Sequence, residues 1–348
     1  MPPLGPEVER RQLGRAVAGA VVGLVVVVAL LFLLGVIGVP DAGIEDNAWG
    51  EVEDGRIEIL TTVWIDNPNP FSVGDDSDVE YDVELAGVPI TEGNVGGVDV
   101  PSGRSTETFS AEFDSRQIAP WWRRHVANDE VSTAVVKATI HTSVGPGSVS
   151  RSDSYEHEIE TDIEGALDRS FSQFEGTYSA SADDVGGPDW LGIEPTVEVE
   201  DVTTNWGTVT EDSTEMVVTV RIHNPNIYPI PVPGFTGSVE FNGVPVADWD
   251  AGEVELRDLA DDALIGGGES QERAFLIAMD NRNLAEWFGT HVDNGEETRV
   301  VVTGQFALTV RDVTVGIPPG DAGVTCEFDL TTAIFVDQEE GVSFDECR

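Results

Sequence analysis

From Arg56 to Asp66 the chain alternates. Ile57, Ile59, Val63 and Ile65 fall on one face, and Arg56, Glu58, Thr62 and Asp66 on the other. That period of two predicts a half-buried β-strand. Leu60 and Trp64 interrupt the polar face, which implies local cover. The strand then meets Asn67-Pro68-Asn69-Pro70. Proline donates nothing to a ladder and forces the preceding residue into extended geometry. The strand therefore leaves its sheet or becomes an edge here, with asparagine side chains placed to bond nearby backbone and close a turn. A ligand site at these asparagines is the rival reading.

The pattern occurs twice. Met216, Val218, Val220 and Ile222 repeat Ile59, Thr61, Val63 and Ile65, and Asn224-Pro225-Asn226 repeats Asn67-Pro68-Asn69, all 157 positions on. Trp49-Gly50 returns as Trp206-Gly207 at the same offset. Gly243-Val244-Pro245 answers Gly87-Val88-Pro89. Strands over 79–85 and 106–113 lead to a short helix, capped by Asp114 or Ser115 and limited by Pro120. Its Trp121 and His125 match Trp287 and His291, 166 positions on. Long strands follow each helix, over 131–144 and 300–310, and 155–163 closes the first set.

This order predicts a tandem duplication, with domains over 43–164 and 195–336. Between them, 165–194 is rich in Ser, Gly and Asp and reads as linker. Leu167, Phe171 and Phe174 within it mark a short amphipathic helix that docks on a domain. Residues 337–348 form a carboxyl-terminal tail. Many short strands separated by turn residues predict an all-β fold of two sandwiches, each with one short helix.

Before the first domain, residues 16–39 carry no charge and are apolar or glycine throughout. As a helix these 24 residues would span about 36 Å, enough for a ~30 Å hydrocarbon core. A cleaved secretory signal is the rival reading, but its apolar region is usually shorter and no clear Ala-x-Ala follows. Arg10, Arg11 and Arg15 precede the run, and Asp41, Glu45 and Asp46 follow it. Positive charge stays inside. The expectation is a retained single-pass cell-membrane anchor with a cytoplasmic tail over 1–15 and the domains outside. In that setting Cys326 and Cys347, the two cysteines of the chain, are candidates for a disulfide tying the tail to the last strand.

Charge changes the picture once more. Sixty-five acidic residues stand against 18 basic ones, a net charge of -47. Nucleic acid is excluded as a partner, since phosphate would be repelled. The spread of acids resembles that of proteins adapted to molar salt, such as those of halophilic archaea. At 1 M salt the Debye length is about 3 Å, so this self-repulsion is tolerable. Asp75-Asp76-Ser77-Asp78 invites a calcium assignment but lacks the loop glycine and terminal glutamate of that pattern.

The ordered set of strand, Trp-Gly, strand, Asn-Pro-Asn, meander, short helix and long strand resembles the water-stress and hypersensitive-response domain. This is the type 2 late-embryogenesis-abundant family. Residues Trp49, Gly50, Asn67, Pro68, Asn69, Trp206, Gly207, Asn224, Pro225 and Asn226 carry the resemblance. It implies a seven-stranded, immunoglobulin- or fibronectin-III-like sandwich with a small helix. It also implies a non-enzymatic protein of desiccation and related stresses. The duplication and the charge depart from the family pattern.

No residue set announces catalysis. The five histidines form no metal pattern and no nucleophile elbow, and Gly266-Gly267-Gly268 lacks a following lysine. His125 and His291 read as helix-end side chains near the last carbonyls. No cofactor or metal is expected. Three functions remain open: a membrane-anchored stress protein acting through surface binding at the envelope, a spacer module for adhesion or assembly with a protein partner, and a binder of a small ligand or cation between the copies.

Overall fold

The computed structural model describes residues 38–72, 77–98, 100–144, 147–179, 196–250, 255–257, 264–310, 313–317, 323–345 and 347–348. The anchor read over 16–39 lies outside them except for Gly38 and Val39, and so do 180–195 and Asp75-Asp76. No helix among the described residues is long and apolar enough to cross a membrane.

The alternating stretch forms β2 (Arg56–Asn67), with Ile57, Ile59, Val63 and Ile65 buried. It lies between β1 (Asp41–Glu53) and β5 (Gly103–Asp114) in an antiparallel sheet. A second sheet holds β3 (Asp78–Leu85), β4 (Val88–Gly96), β6 (Val131–Val144) and β7 (Gly147–Glu160), in the order β4-β3-β6-β7. The cover over Trp64 is the Arg104 guanidinium, 5.0 Å from the ring centre. A 3-10 turn over Ser115–Gln117 follows β5, its Arg116 amide taken by the Asp114 carboxylate at 3.0 Å. Helix α1 (Ile118–Ala127) continues it, with Pro120 in the first turn, where the missing N–H costs nothing. The fold is mostly strand, as the all-β expectation requires.

The second half repeats this order. Its first sheet runs β8 (Gly176–Ser179), β9 (Thr196–Val209), β10 (Ser213–His223), β16 (Ser270–Asp280) and β14 (Glu255–Arg257), paired as β14-β16-β10-β9-β8. The other holds β13 (Val244–Trp249), β12 (Gly234–Phe241), β17 (Glu297–Val310), β19 (Val324–Thr331) and β20 (Gly341–Phe344) in that order, with β18 (Val313–Ile317) on β17. Helix α3 (Leu284–Asp293) takes the place of α1. Within the proline-rich stretch after Asn226, β11 (Ile230–Pro231) pairs with β15 (Leu264–Ile265).

Two stretches are more ordered than a linker or a tail. Residues 163–172 form helix α2 (Ile163–Ser172), which buries Ile163, Ala166, Leu167 and Phe171. The amphipathic spacing of Leu167 and Phe171 is what docks it. β8 then pairs with β9, so this segment belongs to the second half's sheet. At the carboxyl end, β20 pairs with β19 and a Cys326–Cys347 disulfide closes behind it.

The halves share a core. One hydrophobic cluster runs from Ile57, Phe113 and Trp122 of the first half to Met216, Trp287 and Phe328 of the second. At the junction Trp122 packs on Trp206 at 6.1 Å and Trp287 at 5.8 Å, while Phe288 meets Trp49 and Trp121, both at 5.9 Å. Trp122 is fully buried and donates its indole N–H to Thr214 Oγ1 at 2.9 Å. Replacing it leaves a large cavity between the halves. Trp122→Ala is expected to cost about 3–5 kcal/mol. Urea unfolding in molar salt should then show one shared transition at lower denaturant for both halves; two separate transitions in the parent protein would contradict a shared core.

Candidate functional site

The Asn-Pro-Asn turns are saturated internally. Asn67 Nδ2 donates to the carbonyls of Phe71 (2.9 Å) and Val100 (3.2 Å), and Asn67 Oδ1 accepts from the backbone and side-chain amides of Asn69. Asn69 then pairs with the backbone of Gly38 in both directions: Nδ2 donates to Gly38 O and Gly38 N–H donates to Oδ1, each at 2.9 Å. The second half does the same. Asn224 Nδ2 bonds the carbonyls of Tyr228 and Ile265, and Asn226 exchanges two bonds with Thr196, at 2.6 and 3.1 Å. An asparagine amide has two donors and one acceptor oxygen, and here all are used. The motif imitates a strand partner for the backbone at or just before the start of the first strand. Pro68 and Pro225 stay exposed.

Trp-Gly has a different task. Gly50 and Gly207 leave room for the carboxylates of Glu58 and Glu215 to cross the strand. Those carboxylates accept the Glu51 and Thr208 amides, both at 3.1 Å. The tryptophans point into the other half. Trp49 Nε1 donates to Glu296 Oε1, and Trp206 Nε1 donates to Glu130 Oε1, each at 2.7 Å. Each half thus places an indole on a buried glutamate of its partner half.

Both glutamates sit in the left-handed region, with φ 59° at Glu130 and 63° at Glu296. That conformation is unfavourable for a side chain of this size and persists where surroundings hold it. The surroundings are a full set of donors. Glu130 accepts Thr161 Oγ1 and the amides of Ile163 and Glu164, at 2.6–2.7 Å. Glu296 accepts Thr332 Oγ1 and the amides of Ile334, Phe335 and Val336, at 2.5–3.2 Å. A buried carboxylate is tolerated when it is bonded this completely.

Each helix completes the network. The backbone carbonyls of His125 and His291 accept the Glu130 and Glu296 amides. Their rings turn inward, not toward the last helix carbonyls. His125 bonds Ser132 Oγ and Thr161 Oγ1, and His291 bonds Thr298 Oγ1 and Thr332 Oγ1, at 2.8–3.0 Å. Trp121 and Trp287 donate to the same Ser132 and Thr298 hydroxyls. Sequence reading reached the tryptophans and histidines but missed Glu130, Glu296, Ser132, Thr298, Thr161 and Thr332. The 166-residue offset was the available signal. It continues through Asn128/Asn294, Glu130/Glu296 and Ser132/Thr298.

A cavity of about 470 Å³ opens beside this junction. It is lined by Glu45, Asp46 and Asn47 of β1, Asp153 and Tyr155 of β7, and the segment 333–338. Elsewhere Asp78, Glu80 and His141 bring three ligand atoms within 4.8 Å on a strand face that is largely exposed. Exposed carboxylates on so acidic a chain meet this way without a metal.

Burial lowers the pKa of both His125 and His291 to about 4, against smaller opposing effects of Glu130 and Glu296. The unfolded imidazoles protonate near 6.5. Stability from the neutral rings is therefore whole above pH 6.5 and lost as pH falls through 4. Each ring contributes about 3 kcal/mol to that slope. Between pH 6.5 and 4.5 a His125→Gln, His291→Gln protein should lose stability less steeply than the parent, a comparison that cancels the general charge effect. Equal slopes in urea melts would contradict neutral, buried imidazoles.

Residues 62–152, from β2 into β7, match the family model described as late embryogenesis abundant protein. A search of curated proteins finds no significant match. Among solved structures, a protein from Archaeoglobus fulgidus is 24% identical, over 36% of this chain and 98% of that one, with a TM-score of 0.30. A protein from Arabidopsis thaliana is 17% identical, over 36% and 85%, with a TM-score of 0.29. Another, assigned to the late embryogenesis abundant group, is 16% identical, over 42% and 87%, also at 0.29. Scores this low carry no argument of their own. The match over 62–152 supports a late embryogenesis abundant type 2 relationship for the first half of the chain.

Proposed function

We propose that this is a non-enzymatic stress protein of the water-stress type, built from two duplicated β-sandwich halves and held at the outer face of a membrane. The observation that carries the reading is the family match at 62–152, whose strand order returns in the second half. The anchor is the uncharged run over 16–39. Asn69 grips Gly38, so the first domain would stand directly on the bilayer without a stalk.

In this reading the protein works through its surface. The Asn-Pro-Asn side chains and the Trp-Gly indoles are used in holding the fold, which leaves those groups no free donors for a ligand. A net charge of -47 keeps the surface hydrated. The same charge suits molar salt. A spacer that carries a protein partner is the rival reading, since a shared core would limit motion of one half against the other.

With a carboxyl-terminal tag, protease added to intact cells at native salt should remove the tag. A deletion strain should recover more poorly after drying. A tag protected until lysis, or unimpaired recovery, would contradict an outward-facing stress role. Lowering salt from molar to about 0.1 M should unfold the outer portion; circular dichroism unchanged across that range would refute the salt adaptation.

A further inference from the structure

The two halves treat the outer edge of their first long strand differently. In the second half, outward amides of β9 are taken by carboxylates of the preceding segment. Thr204 N–H donates to Asp168 at 2.6 Å, Trp206 N–H to Glu164 at 2.7 Å and Val202 N–H to Glu175 at 3.2 Å. Helix α2 supplies two of the three carboxylates.

Among the described residues no helix covers that edge in the first half; at its start Ile44 N–H donates to Asp153 of β7 at 3.0 Å, and past that point the edge is open. Asn47 and Trp49 pair with Thr61 and Ile59 as Thr204 and Trp206 pair with Val218 and Met216, so their amides face the same way. The segment in the place of α2 begins at Ile334, which follows Thr332 as Ile163 follows Thr161. It puts Phe335 where α2 has Glu164, and the Phe335 ring lies 4.7 Å from Trp49. No described side chain accepts the Asn47 amide. Asn47 is 7% exposed, and its Oδ1 accepts from Thr61 Oγ1 at 2.9 Å. Among the described residues its Nδ2 has no hydrogen-bond partner, and the residue lines the 470 Å³ cavity. An irregularity between Ile44 and Asp46 widens the edge there, a place where strands commonly re-aim side chains.

The donors at Asn47 thus face an opening whose counterpart is filled by carboxylates. A lone anion would be repelled by the other walls. Asp46, Asp153 and Asp337 line the same cavity with no described basic side chain paired to them; Asp153 accepts the amides of Ile44 and Ser154, both at 3.0 Å, while His157 is engaged by Glu340 at 2.9 Å. Tyr155 and Phe335, with ring centres 6.2 Å apart, supply an aromatic wall that attracts a cation. The volume lies in the range of small-molecule sites.

We infer that this cavity binds a small zwitterion, its carboxylate on the Asn47 amides and its ammonium between the aspartates and the two aromatic rings. The inference is independent of the stress role and of the membrane anchor. It gives the junction between the halves a ligand, because Glu296 holds both Trp49 and the amides of Phe335 and Val336 that form one wall.

The test is equilibrium dialysis of the full chain in molar salt with isotope-labelled N,N,N-trimethylglycine, choline and acetate as separate probes. Trimethylglycine should bind saturably, at least tenfold tighter than choline or acetate, which each carry half of its chemistry. Asn47→Ala should remove the advantage over choline. Asp46→Asn with Asp337→Asn, both on exposed positions that leave the fold intact, should weaken trimethylglycine about tenfold. Uptake that rises linearly without saturation, choline binding as tightly as trimethylglycine, or affinity unchanged in the aspartate variant would each overturn the inference.

Discussion

Two hydrogen bonds cross the molecule in opposite directions, from Trp49 to Glu296 and from Trp206 to Glu130. Much else follows from them. A buried carboxylate is costly unless every lone pair is met. Each glutamate therefore needs the threonine, the row of amides after it and the indole from the other half. Remove the other half and one acceptor site is left open beside bared aromatic rings, Trp121 and Trp122 in the first half or Trp287 and Phe288 in the second. The polar exchange sets the register, and the aromatic packing around it supplies the buried area. The left-handed backbone at both glutamates is the local cost of placing the carboxylates there.

The far ends of the halves are governed by another exchange. Asn69 and Asn226 each pair in both directions with a residue at or just before the start of the first strand, Gly38 ahead of β1 and Thr196 at the head of β9. Proline after asparagine ends the ladder, and the asparagine side chain continues it by other means. The junction and the turns lie at opposite ends of β2 and β10. Each strand is thus held at one end by its own turn and at the other by the partner half.

The strands were legible because their signal is local. Ile57, Ile59, Val63 and Ile65 announce β2, and 131–144 announces β6 to the residue. The turn chemistry of Asn-Pro-Asn was legible for the same reason. The glutamates were not, because on this chain a glutamate is an unremarked residue among 65 acids. Their meaning depends on an indole 76 or 247 positions away. The histidines were recognised as equivalent but placed on helix carbonyls, since the hydroxyls of Thr161 and Thr332 come from distant strand ends. The cavity escaped notice because it comes from a difference between the halves: helix α2 after β7, and an irregular segment after β19. A search for repeats weights what agrees.

A double-mutant cycle on the crossing bonds tests the account most directly. Trp49→Phe and Glu296→Gln, alone and together, would be measured by urea unfolding in molar salt, with Trp206→Phe and Glu130→Gln as the second cycle. The account predicts a coupling of about 1.5–3 kcal/mol in each, the range of hydrogen bonds to charged groups. It also predicts that the two cycles agree. Coupling below about 0.5 kcal/mol in both would contradict it, leaving apolar contact alone to hold the halves together.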